Sequence, residues 1–188
     1  MAAAMRGEGC HGVGECLETY RRRIPSVKLD GPTSFAPALR QTIELVKAAA
    51  RTPSGAIDKR KMEFALCLII CDGCVDGKGP AEATMRALAE ASAFPISVMC
   101  VGVGDGATAD PAGPWAKMRS FDDDLHSEAR GHAASRFDNF QFCCYNELVA
   151  DAAAQGRSLG EAFACALLHE LPEQVEAATA LKIFYPQS

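Results

Sequence analysis

Two short apolar runs constrain this chain more than any other feature. Phe64-Ala65-Leu66-Cys67-Leu68-Ile69-Ile70 and Ile96-Ser97-Val98-Met99-Cys100-Val101 are almost free of polar residues and do not alternate. Runs of this length read as strands, and a strand without a polar side reads as covered on both faces, as in a parallel sheet. The first run stops at Asp72-Gly73, the second at Gly102-Val103-Gly104-Asp105-Gly106. Between them, Pro80 to Ala93 carries Pro in a first helical turn and Met85, Leu88 and Ala89 toward one face. Strand, helix, strand is a βαβ unit, which is nearly always right-handed. The two runs are therefore expected side by side as interior parallel strands.

The flanking segments extend this α/β pattern. Val13, Cys16, Leu17, Tyr20 and Ile24 recur at helical spacing until Pro25. Gly31-Pro32 signals a turn, Thr33 or Ser34 is expected as an N-cap, and Pro37 suits the first turn of a helix reaching about Ala50. Leu39, Ile43 and Val46 mark its apolar side, and Arg51 to Arg60 reads as a polar loop. Pro114 to Phe121 reads as a short helix holding Trp115, with Trp115 and Phe121 in the core. Asp122 to Ser135, with Asp122-Asp123-Asp124, His126 and His132, reads as a solvated loop, and Phe140 to Tyr145 as a third strand. Ser158 to Glu170 is expected as a helix, with Ser158 and Glu161 at capping-box spacing. Its apolar side carries Leu159, Phe163, Ala166, Leu167 and Leu171. Pro172 marks a break before further helical turns to about Ala180. The expected organisation is a disordered start over 1–9, one domain over 10–183 and a tail over 184–188.

Bulk properties exclude several classes. The chain has 188 residues, enough for one domain with a real core and short for two. Its net charge is −5, and Lys and Arg are scattered apart from Arg21-Arg22-Arg23 and Lys59-Arg60-Lys61, so no nucleic-acid partner is expected. No run approaches the roughly 18 apolar residues of a membrane span, and the start lacks the apolar stretch of a secretory signal. Nine cysteines is an odd number, and Cys67, Cys100 and Cys165 lie within apolar runs. These read as reduced, buried thiols of a cytoplasmic or nuclear protein, or one peripheral to the plasma membrane.

Ligands of a parallel α/β sheet gather at the carboxyl ends of its strands. Thr33, Asp72 and Gly104-Asp105-Gly106 are expected to converge there. A carboxylate and a hydroxyl are hard oxygen donors suited to Mg²⁺ or Mn²⁺. Equally, Asp72-Gly73 reads as a turn and Thr33 as a helix cap. Cys71-Asp72-Gly73-Cys74 has a spacing used in redox and zinc sites, but zinc needs a second pair, and Cys143 and Cys144 are adjacent. The glycines 102, 104 and 106 lack dinucleotide-loop spacing, and no Gly-x-Ser-x-Gly elbow occurs. No catalytic or cofactor-binding residue is assigned.

Several ordered motifs, taken together, carry a family likeness. They are Gly31-Pro32-Thr33-Ser34-Phe35-Ala36-Pro37, Leu68-Ile69-Ile70-Cys71-Asp72-Gly73, Phe94-Pro95-Ile96-Ser97, Val101 to Gly106, Pro114-Trp115, Met118 to Asp123 and Arg136 to Phe142. From about Cys10 to about Ile183 the chain resembles the copine-type von Willebrand A domain, especially the copine-like domain of plant RING-type ubiquitin ligases. The resemblance implies a Rossmann-like, three-layer αβα fold with a mostly parallel sheet and a metal-ion-dependent adhesion site. In that site an Asp-x-Ser-x-Ser, a Thr and a later Asp hold the metal; Thr33 and Asp72 match the last two. No Asp-x-Ser-x-Ser precedes Thr33. The site is expected to be a remnant, with no cofactor or weakly bound Mg, Mn or Ca.

The family's first strands are likewise expected to be absent, which would open the edge of Phe64 to Ile70. Such an edge invites self-association or awaits a further segment. The function implied is a protein-interaction module, not catalytic on its own, whose partners are other proteins. The alternative implied is the substrate-recruiting part of a RING-type ubiquitin ligase, without the Cys/His pairs of a RING in these residues. Calcium-dependent phospholipid binding, as in full copines, is the third reading.

Overall fold

The computed structural model describes residues 9–28, 32–75, 77–104, 113, 115–124 and 135–186. The expected disordered start and the His126 and His132 segment fall largely outside them. The chain divides into two compact units, residues 1–31 and 32–188.

The first unit holds α1 (Gly12–Arg23), which Pro25 converts into a 3-10 turn over Ile24–Ser26. Glu15 in its first turn and Arg21, Arg22 and Arg23 in its last complement the helix dipole. This is the helix that the apolar spacing foretells.

In the second unit the order is α2 (Ala36–Ala49), β1 (Ala65–Cys71), α3 (Lys78–Ala91), β2 (Ile96–Gly102), α4 (Ala116–Asp124), β3 (Phe140–Cys144), α5 (Tyr145–Gln155), α6 (Leu159–Leu168) and α7 (Leu171–Ala180). The three strands form one parallel sheet in the order β1-β2-β3. Helices α2, α3 and α4 cover one face, where Leu39, Leu88, Val98, Phe121 and Phe140 pack. Helices α5, α6 and α7 lie over the other, around Met99, Val101, Cys143 and Leu167. This is the three-layer, Rossmann-like arrangement expected of the sequence. Beside it, Phe64 and Phe184 meet edge to face at 5.4 Å in a small cluster with Phe137, Ala178 and Ile183.

The two apolar runs differ in a way their composition hides. β2 is buried along its whole length, as expected of an interior strand. Among the described residues β1 is not interior: it stands at the edge of the sheet, and its burial alternates. Ala65, Cys67 and Ile69 pack toward α2 and α3, whereas Leu66, Leu68 and Ile70 are exposed. Helices α5 to α7 cover the second face over β2 and β3.

Smaller corrections follow local physics. Neither Thr33 nor Ser34 is the N-cap of α2; Phe35 is. Ser34 Oγ nonetheless accepts from Ala36 N at 3.4 Å, so a hydroxyl does serve the helix start. Asp122 to Asp124 end α4 rather than forming a loop, and Asp122 Oδ1 accepts from Phe142 N at 3.2 Å. Trp115 precedes α4 instead of lying within it. Cys165 is exposed, because it lies on the outer side of α6. Leu159, expected on the inner side of that helix, is exposed as well. Helix α5 has no counterpart in the sequence reading. Its start abuts β3 without a side-chain cap, but Gly156 at φ 64° closes it in the left-handed conformation that glycine tolerates best. Ser158 caps α6 as expected, accepting from Glu161 N at 3.3 Å.

Candidate functional site

The strand register lines up the three carboxyl ends. Cys71 pairs with Gly102, and Gly102 with Cys144, so the strands finish in one row. The backbone crosses this row once more, as Val103 N donates to Cys71 O at 2.8 Å. Loops leaving such a row form a shared rim.

Asp72 is the first residue past β1 and is exposed. After β2 the chain turns at Gly104, whose φ of 84° suits glycine. Asn146, in the first turn of α5, donates from Nδ2 to Gly104 O at 3.1 Å and so ties the second loop to the third strand end. Beside it, Arg119 Nη2 reaches both oxygens of Glu147 at 2.7 Å, joining α4 to α5. Sequence reasoning missed Asn146, Glu147 and Arg119. The signal available was position: Asn146 and Glu147 directly follow the third strand.

Thr33 is exposed, two residues before the N-cap of α2. The start of that helix is anchored to α3, where Phe35 N donates to the buried Thr84 Oγ1 at 3.1 Å. Among the described residues, Thr33 and Asp72 share no hydrogen bond and no common partner. Asp105 lies outside those residues. The described residues also bring no three His, Cys, Asp or Glu side chains to metal-holding distance. One carboxylate and one hydroxyl fall short of a cage for Mg²⁺, which prefers six oxygens and gives up its waters reluctantly.

The rim is underlaid by thiols. Cys71 and Cys100 lie on one face of adjacent strands with sulfurs 3.7 Å apart. The hydrogen bond to Cys100 draws the Cys71 thiol below its ordinary value, while that bond and burial push Cys100 far above it. Burial, then Cys144 and Asp122, push Cys143 up to about 11. Cys100 and Cys143 are thus held neutral, the form of a thiol that is a poor nucleophile and a poor metal ligand.

A three-stranded parallel sheet with helices on both faces is a Rossmann-like arrangement, consistent with a domain of von Willebrand A type. The chain belongs to the Copine family, whose model matches residues 1–187. It is 34% identical over 183 residues to E3 ubiquitin-protein ligase RGLG2 of Arabidopsis thaliana, covering 93% of this chain and 34% of that protein. It is 35% identical over 181 residues to E3 ubiquitin-protein ligase RGLG5 of the same plant, covering 92% of this chain and 36% of that protein. Copine family protein 2 of Caenorhabditis elegans is 30% identical over 172 residues, covering 92% of this chain and 2% of that protein. The chain thus spans about a third of the length of the curated plant relatives named here.

Proposed function

We propose that this chain is a protein-interaction module of copine type that recruits substrates within a ubiquitin-ligase family. The observation that carries this reading is the rim. Asp72, Asn146 and the Arg119–Glu147 pair are exposed polar groups on the ends of rigid elements. Fixed polar groups of both signs on rigid supports suit recognition of a protein surface. The ligase names of the plant relatives supply the context, and transfer of ubiquitin itself belongs to a RING outside these residues.

A reconstituted ubiquitylation reaction tests the reading. The purified chain with E1, E2, ATP and ubiquitin should transfer no ubiquitin. Added in large molar excess to RGLG2 and one of its substrates, it should lower substrate modification while leaving RGLG2 self-modification unchanged. A variant combining Asp72→Ala with Asn146→Ala should lose this competition. Undiminished substrate modification would overturn the proposal.

Thr33 and Asp72 are the remnant of an adhesion-type cation site in this reading. Titration calorimetry with Mg²⁺ should show no saturation below about a millimolar, the weak end of oxygen-ligated cation sites. Micromolar binding abolished by Asp72→Asn would contradict it.

A further inference from the structure

We propose that the groove between α5 and α6 is a thiolation site, in which Cys165 takes glutathione from glutathione disulfide. The proposal goes beyond the recruitment reading and does not rest on it.

The two helices build the groove. β3 supplies its inner end, α5 one wall and α6 the other, and it holds about 340 Å³. That volume lies within the roughly 300–1,000 Å³ of small-molecule sites. Leu148, Ala162 and Ala166 give it an apolar floor. The turn between its walls is tied at both ends. Gly156 N donates to Ala153 O at 3.3 Å and Arg157 N to Ala152 O at 3.0 Å, closing α5. Ser158 then caps α6. Arg157 thus rises from a fixed piece of backbone.

Polar groups of both signs converge on this groove. Arg157 Nη2 donates to Cys165 Sγ at 3.4 Å, reaching along α6 to the thiol. His169, the C-cap of α6, stands four residues past Cys165 and so on the same helix face. Asp151 lines the groove from α5. All four residues are exposed, so a solute can reach them.

The ligand class follows from these groups. Glutathione carries two carboxylates and one ammonium around a sulfur. Arg157 and His169 offer donors to the carboxylates, and Asp151 an acceptor to the ammonium. The other exposed thiols have different neighbours. Cys10 bonds to Thr19 Oγ1 at 3.7 Å, and Cys10 in turn pushes the Cys16 thiol above its ordinary value.

The exchange balances without a further oxidant. Cys165 gives up its proton to water, and its sulfur attacks one sulfur of the disulfide. That S–S bond breaks as the bond from Cys165 to glutathione forms. The second glutathione leaves as a thiolate and takes up a proton. The Cys165 sulfur is oxidised and the departing sulfur reduced.

The full chain, reduced and then freed of reductant, is exposed to glutathione disulfide at pH 8 and followed by peptide mass spectrometry. Cys165 should be modified about tenfold faster than Cys10 or Cys16, the effect of one charge-assisted hydrogen bond. In urea the three rates should converge. A second series uses hydroxyethyl disulfide, which is neutral. The ratio of the glutathione disulfide rate to the neutral rate at Cys165 should fall about tenfold in Arg157→Gln. Cys10 or Cys16 taking up glutathione as fast as Cys165 in the native chain would overturn the proposal, as would a preference for Cys165 that survives in urea. A ratio that Arg157→Gln leaves unchanged would overturn it too, because Cys165 would then be no more than an accessible thiol.

Discussion

Gly102 and Trp115 compete for one space: a Cβ at Gly102 would stand 2.8 Å from Cζ2 of the indole. The ring is 1% exposed and rests against Phe142 at 5.5 Å, so it has nowhere to retreat. Trp115 also holds a φ of 64°, unusual for a bulky residue. Gly102→Ala should therefore cost about 2–3 kcal/mol through overpacking. Urea denaturation checks this, and a midpoint equal to wild type would refute it.

Ser97 on β2 and Gln174 on α7 form a buried hydrogen bond between side chains 77 positions apart. Ser97→Ala strips Gln174 Oε1 of its donor inside the protein. Leaving a buried acceptor unpaired costs about 1–3 kcal/mol. Adding Gln174→Leu should recover part of that loss, because both polar partners are then gone. A double variant no more stable than Ser97→Ala would argue that the bond contributes little.

Thiol accessibility should sort the nine cysteines. Cys10, Cys16 and Cys165 are exposed, whereas Cys71, Cys74, Cys100, Cys143 and Cys144 are buried. At pH 8, iodoacetamide followed by mass spectrometry should label the first three in the native protein and the buried five only after unfolding. Burial raises the Cys67 thiol, so this half-buried residue should lag behind the exposed three. Rapid native labelling of Cys100 or Cys143 would contradict the fold.

Arg40 on α2 grips both oxygens of Glu90 on α3, at 3.1 and 3.3 Å. Arg40 holds the Glu90 carboxyl below its ordinary value of 4.5. Between the two values the unfolded chain binds more protons than the folded one, so stability rises with pH. The contribution is complete above the ordinary carboxylate value and fades as pH falls through the depressed one. Both side chains are half exposed, so solvent screens the pair, and the loss should amount to only about 1–2 °C in Tm. Glu90→Gln should remove that part of the acid slope; thermal melts from pH 6 to pH 3 would show an unchanged slope if the pair were idle.

The parallel strands, the βαβ unit and the capped α6 were legible because each rests on local chemistry: apolar runs of strand length, helical spacing, and Ser158 three residues before Glu161. The edge position of β1 among the described strands was not legible from its residues. Phe64 to Ile70 is as apolar as Ile96 to Val101, and only tertiary placement decides that one buries both faces while the other buries one. Helix α5 was hidden for a different reason. Its Ala-rich sequence carries little amphipathic contrast and follows β3 without a turn residue. At the rim, Asp72 could be placed from the end of its strand, but Asn146 and Arg119 become meaningful only once Gly104 and Glu147 stand beside them.

Trp115 is the only tryptophan in the chain, and its indole Nε1 is buried without a hydrogen-bond partner among the described residues. An indole so shielded emits at short wavelength, and its emission moves to the red when water reaches it. The protein therefore carries an intrinsic optical probe at the point where β2 ends and α4 begins, able to report disturbance of the rim without any label.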